Sequence, residues 1–181
     1  MTTAHEDDAL AALADRLLAQ SGDPREGLPE PVFRLASQLV PMVNVDLLIQ
    51  DEAGRTLLTW RADELYGPGW HVPGGIIRFK ETSAERIAKV AQSELGCTVA
   101  FSADPVALHE VMTPERNLRG HFISLLYACR SKTPPAPDRR ADDSRPQNGQ
   151  WRWHAGCPEQ LIRVHEMYRT HIDRPHTFRH D

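Results

Sequence analysis

The chain has 181 residues, 40% of them hydrophobic and 25% charged, and a net charge of -4. That suits one α+β domain with a sizeable core, and the acidic balance argues against general nucleic-acid binding, which needs a concentrated basic surface. It leaves room for a small anionic ligand, because a local arginine cluster can sit in an acidic protein.

Cys97, Cys129 and Cys157 are too few and too far apart for a thiolate metal site. Their odd number and wide spacing fit a reduced, cytoplasmic protein. The first eight residues lack the basic start and apolar run of a signal peptide. No apolar run approaches membrane-spanning length, so no membrane partner is expected.

Residues 5–20 read as a helix with Leu10, Leu13, Leu17 and Leu18 near one face. A peripheral helix packed on the domain is expected; the alternative is a dimer arm, which keeps a homodimer open. Ser21-Gly22-Asp23-Pro24 breaks it. A short helix over 31–39 follows, with Val32, Leu35 and Leu39 on a face. Residues 1–40 thus form a helical extension, 41–175 the main domain and 176–181 a frayed tail.

Val43 to Gln50 is rich in branched apolar residues and reads as a strand. Asp51 to Gly54 is a turn, and Arg55 to Trp60 is expected to return as its hairpin partner. Trp70-His71-Val72-Pro73 ends a further strand, and Gly74-Gly75 reads as a turn out of it. Thr82-x-x-Glu85 has the form of a capping box, so a helix starts after Thr82. Ala84, Ile87, Ala88, Ala91 and Leu95 make its apolar stripe, and Gly96 ends it.

Val106 to Met112 and His121 to Cys129 read as two more strands. Ser131 to Gly149 holds four prolines and no apolar periodicity, the mark of a functional loop or a disordered one. Gln150 to Trp153 is a last strand. Pro158, Leu161, Ile162, His165, Tyr168 and Ile172 suggest a C-terminal helix. A mixed sheet with helices on both sides accommodates these elements.

The stretch Gly75 to Cys97 resembles the Nudix box, a Gly, five residues, a Glu, seven residues, then Arg-Glu-apolar-x-Glu-Glu-x-Gly-apolar. Gly75, Glu81, Glu94 and Gly96 match. Lys89 stands at the Arg, and Val90 and Ser93 replace two of the Glu residues. The order Pro41 to Asp46, Arg61, Trp70 to Gly75, Glu94-Leu95-Gly96, Gln147 and Trp151-Arg152-Trp153 is similar to one branch of that family, the GDP-mannose mannosyl hydrolases. The similarity covers roughly residues 40 to 155.

That resemblance implies a Nudix-type fold and hydrolysis of a nucleoside diphosphate derivative such as a nucleotide sugar. It also implies a few oxygen ligands for Mg²⁺ (or Mn²⁺): the carbonyl of Gly74, Glu94 and Gln147. The bare alternatives are a solvated Glu94 and an unremarkable loop Gln147. The resemblance places Arg61 and Asp46 at the substrate, with Arg61 offering a donor fork for phosphate. Asp46 on a strand also has an exposed face available to it. Arg78 is a further substrate contact, although Ile76 holds a position where the branch has a phosphate-binding Arg.

Lys89 keeps the positive charge of the usual Arg, and pairs with Glu85 across one helical turn. Glu94, Arg61 and Lys89 are the catalytic candidates. Asn148 stands where the branch has a catalytic His, and an amide is no general base. His71, His109, His121, His154 and His165 are the available imidazoles, each with a structural or surface role as its simpler reading. The competing functions are attack at carbon, releasing a nucleoside diphosphate, attack at phosphorus, and a binding module without turnover.

Overall fold

The computed structural model describes residues 4–142 and 145–176. Two helices, α1 (Ala4–Gln20) and α2 (Glu30–Leu39), precede β1 (Met42–Ile49). Next come β2 (Thr56–Arg61), β3 (Gly69–His71) and β4 (Gly74–Ile76). Helix α3 (Ser83–Val90) follows, and its last turn, Ala91–Leu95, is a π-turn. β5 (Val99–Phe101), β6 (Ala107–Met112), β7 (His121–Ser131), β8 (Trp151–His154) and a short α4 (Arg169–Ile172) complete the chain.

There are two sheets. In the larger, β1 pairs in parallel with β7 on one edge and antiparallel with β4 on the other. β5 and β6 take successive lengths of the remaining edge of β7. In the smaller, β2 lies between β3 and β8, all antiparallel. The expected hairpin of β1 with β2 reduces to one bridge, Gln50 to Thr56. The turn Asp51–Gly54 carries the chain from one sheet into the other. Gly74 and Gly75 are strand residues of β4, paired with Asp46 and Val45 of β1, rather than a turn. β5 carried no periodic signal in its three residues.

β1 is buried on both faces from Val45 to Ile49, and strand alternation sorts its side chains. Val45, Leu47 and Ile49 join Ile87, Val90, Ala91 and Leu95 of α3 in one core. Leu48 joins Leu58, Trp70, Tyr168 and Ile172 in the other. Asp46 shares the second face, so it is buried, not solvent-facing as its strand position had allowed. With α3 on one face and the smaller sheet and C-terminal segment on the other, β1 leaves neither face to water.

The capping box of α3 forms as expected: Thr82 accepts from the Glu85 N–H and Glu85 accepts from Thr82. The inward face departs from the expected stripe. Ala84 and Ala88 are exposed, whereas Arg86 and Val90 are buried. A Cβ on Gly75 would meet Val90 Cγ2 at 2.9 Å, so this glycine lets α3 sit closely on β4. Gly96 at φ 64° closes the helix in the left-handed conformation.

The expected C-terminal helix from Pro158 is mostly something else. Leu161 bridges to Trp70, then a 3-10 segment (Arg163–Tyr168) leads into the single turn of α4. The leucines of α1 are not packed on the domain: Leu10 is 64% and Leu18 71% exposed. Of the expected tail, residues 177–181 lie outside the described residues. No helix among the described residues is long and apolar enough to cross a membrane.

Candidate active site

The sequence folds so that β1, β4 and the end of α3 meet over a cleft of about 590 Å³, within the usual range for small-molecule sites. Its floor comes from alternating positions on β1 and β7. Asn44 Nδ2 donates to Asp46 Oδ2 at 2.8 Å, and Ser124 Oγ donates to Asn44 Oδ1 at 3.0 Å. The Tyr168 hydroxyl completes the set, donating to Asp46 Oδ2 at 2.6 Å. Burial pushes the Asp46 carboxyl up to about 6, against the opposing pull of those donors.

Gly74 is the contact point between the two carboxylates. It pairs with Asp46 in the sheet, and a Cβ there would collide with Asp46 Oδ1 and, at 2.8 Å, with the Val45 carbonyl oxygen. Its backbone N–H also faces Glu94 and favours the charged carboxylate there. Glu94 sits in the π-turn at the end of α3. Burial raises its carboxyl to about 7, with the Asp46 charge adding and the Gly74 N–H and Arg61 opposing. Arg139 secures that turn from outside, its Nη1 donating to the Ser93 and Glu94 carbonyls at 2.7 and 3.1 Å.

Two imidazoles flank the carboxylates. His71 Nε2 lies 3.9 Å from Glu94 Oε2 and 3.1 Å from the Thr59 hydroxyl. Burial, helped by Arg61, holds its pKa down to about 4, so the ring is neutral at pH 7. His165 Nδ1 accepts the Val72 N–H at 3.1 Å, and burial holds this ring well below its ordinary range too. A neutral ring with an accepting Nδ1 carries its proton on Nε2.

The structure brings together Asp46, Arg61, Gly74, Arg78 and Glu94, all of which line the cleft. Arg61 ends β2 and is ion-paired with Asp63, its guanidinium 5.1 Å from the Tyr66 ring centroid. Arg78 donates to the Arg25 carbonyl at 3.0 Å. Lys89 stands apart from the cleft lining. Its ammonium reaches Glu81 Oε1 at 3.0 Å rather than Glu85, which is occupied by the capping box.

Gln147 is exposed and lines neither the cleft nor the shallower depression behind Glu94. The loop amides in that depression are Asn148 and Gln150. Asn148 Oδ1 accepts the Ala62 N–H at 2.9 Å, and Gln150 Oε1 accepts the Gln147 N–H at 2.8 Å. Much of the 131–149 segment is tied down: the Ala136 N–H donates to Leu95, the Ala141 N–H to Trp151, and Trp151 Nε1 to Ala136. Among the other imidazoles, His121 meets Glu110 at 3.1 Å, His109 packs on Tyr168 and His154 on Trp70.

Tyr168, Ser124 and Arg119 are cleft-side residues that sequence reasoning did not single out. The strand alternation of β7 puts Ser124 on the face of Leu126, but nothing local marks the other two.

Comparison with known proteins agrees with this architecture. A segment of 84 residues, 46% of the chain, is 34% identical to the low-salt glycan biosynthesis protein Agl8 of Haloferax volcanii, and spans 53% of that protein. The fold is similar to a MutT NUDIX hydrolase of Burkholderia pseudomallei (TM-score 0.55, 20% identity, 72% of this chain and 97% of the other). It is similar also to a MutT protein of Methanosarcina mazei (TM-score 0.54, 19% identity, 74% and 94%). Residues 40–172 match the NUDIX domain, and the chain belongs to that family.

Proposed function

We propose that this chain is a Mg²⁺-dependent hydrolase of a diphosphate-linked small molecule, a nucleotide sugar such as GDP-mannose. The observation that carries the reading is the pair of carboxylates, Asp46 and Glu94, converging on Gly74 in a cleft with Arg61 at its side. The ordered landmarks shared with the mannosyl hydrolase branch support the sugar, as does the glycan biosynthesis named for the Haloferax relative.

The donors present fit a divalent ion. A buried carboxylate, Glu94, whose proton affinity is raised by burial and by the Asp46 charge, is a place where a cation relieves repulsion. Among the described residues no group of three or more His, Cys, Asp and Glu forms a metal cluster. That suits Mg²⁺ or Mn²⁺ rather than Zn²⁺, since Mg²⁺ keeps waters and substrate phosphates among its ligands. Glu94 and the Gly74 carbonyl would hold it, with Gln150, the loop amide that shares a depression with Glu94, as the third protein donor in place of the exposed Gln147. Bound there, it would supply positive charge against the diphosphate oxygens.

The chain's own groups do the rest. Arg61 holds phosphate oxygens and opposes the charge that develops on the leaving diphosphate. Asp46, fixed by Tyr168 and Asn44, accepts from a hydroxyl or base edge of the substrate. His165 has committed Nδ1 to Val72, which leaves His71 as the cleft imidazole able to take a proton from water. Lys89 acts on Glu81 and so on the seating of α3.

The test is a panel of nucleoside diphosphate sugars incubated with Mg²⁺ or Mn²⁺ and resolved by mass. With heavy-oxygen water as solvent, nucleoside diphosphate free of the label plus sugar identifies attack at carbon, whereas label in the diphosphate, or nucleoside monophosphate plus sugar phosphate, identifies attack at phosphorus. Binding without turnover under either ion would replace the hydrolase by a binding module, the reading favoured by Val90, which is buried where the box has a carboxylate.

A further inference from the structure

The family match begins at residue 40, yet one wall of the cleft comes from earlier in the chain: Pro24, Gly27, Leu28 and Phe33 all line it. Two arginines of the domain hold this wall in place. Arg78 donates to the Arg25 carbonyl at 3.0 Å, and a Cβ on Gly27 would fall 3.2 Å from its guanidinium. Gly27, at φ 119°, lets the backbone lie on that plane. Arg119 does the same for α2, with its guanidinium 5.5 Å from the Phe33 ring centroid and 5.7 Å from that of Tyr66.

Arg119 differs from the other arginines of the cleft. Arg61 is paired with Asp63 and Arg86 with Glu81, while Arg78 is occupied by the Arg25 carbonyl. Among the described residues Arg119 has no carboxylate partner, and its Nε is buried without an acceptor. Its backbone is at φ 54°, a region that non-glycine residues seldom occupy. The Tyr66 hydroxyl pins that conformation by donating to the Arg119 carbonyl at 2.9 Å. A strained residue is thus held so that its charged group stands between two rings at the cleft wall, with donor capacity to spare.

We propose that Arg119, clamped between Phe33 and Tyr66, binds a phosphate of the substrate beside Arg61, which makes the N-terminal extension part of the substrate site. The ligand class is a diphosphate ester, and the inference rests on reading this cleft as the substrate cleft. Arg61 and Arg119 both lie over the Tyr66 ring, as does Arg116, which is outside the cleft lining and donates to the Leu65 carbonyl; the ring thus fixes the two cleft guanidinium forks relative to one another. Phe33 is a positioning residue: it fixes the fork without touching the phosphate.

The experiment is calorimetric titration of the full chain with inorganic pyrophosphate and with a nucleoside diphosphate, alongside turnover of the nucleotide-sugar panel. Arg119→Ala should weaken both ligands by about 10- to 100-fold, the worth of charge-assisted hydrogen bonds. Arg119→Lys, which keeps charge but loses the fork, should fall between. Phe33→Ala should weaken both by about 2- to 5-fold and Phe33→Tyr should restore parent affinity. Unchanged pyrophosphate affinity in Arg119→Ala, with parent turnover intact, overturns this inference and leaves the hydrolase standing. A parent that binds pyrophosphate through Arg119 but turns over no nucleotide sugar upholds it and removes the hydrolase reading instead. Loss of affinity in Arg119→Ala with no effect of Phe33→Ala overturns the part assigned to the extension.

Discussion

The Tyr168 hydroxyl donates to Asp46 Oδ2 at 2.6 Å, across 122 positions of sequence. One end of this bond is in the central strand and the other in the last segment of the chain before α4. It is the polar core of an otherwise apolar contact that includes Leu48 and Ile172. The bond therefore does two things: it holds a cleft carboxylate in place, and it fastens the C-terminal segment to the sheet.

Tyr168→Phe tests both at once. The ring stays, so packing is preserved and only the donor is lost. A hydrogen bond to a buried carboxylate contributes on the order of 1.5–3 kcal/mol, so urea unfolding at pH 8 should show a loss of about 2 kcal/mol. Nucleotide-sugar KM should rise as Asp46 loses its orientation. A variant of parent stability would mean that the Asn44 donor alone satisfies this carboxylate.

Glu81 provides the pH dependence. It accepts the Arg78 N–H at 2.9 Å, and meets Arg86 at 2.6 Å and Lys89 at 3.0 Å, with its side chain only 4% exposed. Although burial works against it, the Arg78 N–H and the two cations pull its carboxyl down to about 2. A carboxylate whose folded pKa is depressed contributes stability above its unfolded pKa of about 4.5, and that stability is lost as pH falls towards 2. Unfolding free energy of the parent should therefore drop between pH 5 and pH 2.5, by on the order of 3 kcal/mol from this group. In Glu81→Gln that part of the drop should vanish, with the variant less stable than the parent at pH 7. Equal slopes in the two proteins would show that the cluster is energetically idle.

Arg61→Ala should weaken a nucleotide sugar and the free nucleoside diphosphate alike, since the phosphates are common to both. A loss of about 10- to 100-fold in each Kd is expected from a charge-assisted contact. If diphosphate affinity is unchanged, Arg61 serves only to hold Asp63 and the Tyr66 ring.

What was legible in the sequence was local. The capping box, Gly96 and the spacing to Glu94 lie within one helix, where each signal acts over a few residues. What was not legible was set by distant partners. Asp46 is buried because Tyr168 and the second core pack over its face of β1, which no pattern within β1 reports. Arg86 points inward because Glu81 is there to receive it, so a charged residue displaced an alanine from the predicted stripe. Gly74 and Gly75 read as a turn by composition. They are glycines because Asp46 and Val90 approach them closely. Gln147 could be aligned by order along the chain, but the loop's own hydrogen bonds turn Gln150 and Asn148 towards Glu94's side instead.

The proposed hydrolase is tested most directly by turnover and divalent-ion binding of Glu94→Gln, measured on whichever member of the nucleoside diphosphate sugar panel gives turnover with the parent. The substitution keeps size and one oxygen and removes the charge. Loss of most turnover is expected, by a factor of about 10² or more for an oxygen that positions charge at a reacting diphosphate, together with loss of Mg²⁺ affinity by titration. Near-parent turnover and near-parent Mg²⁺ affinity in this variant would contradict it.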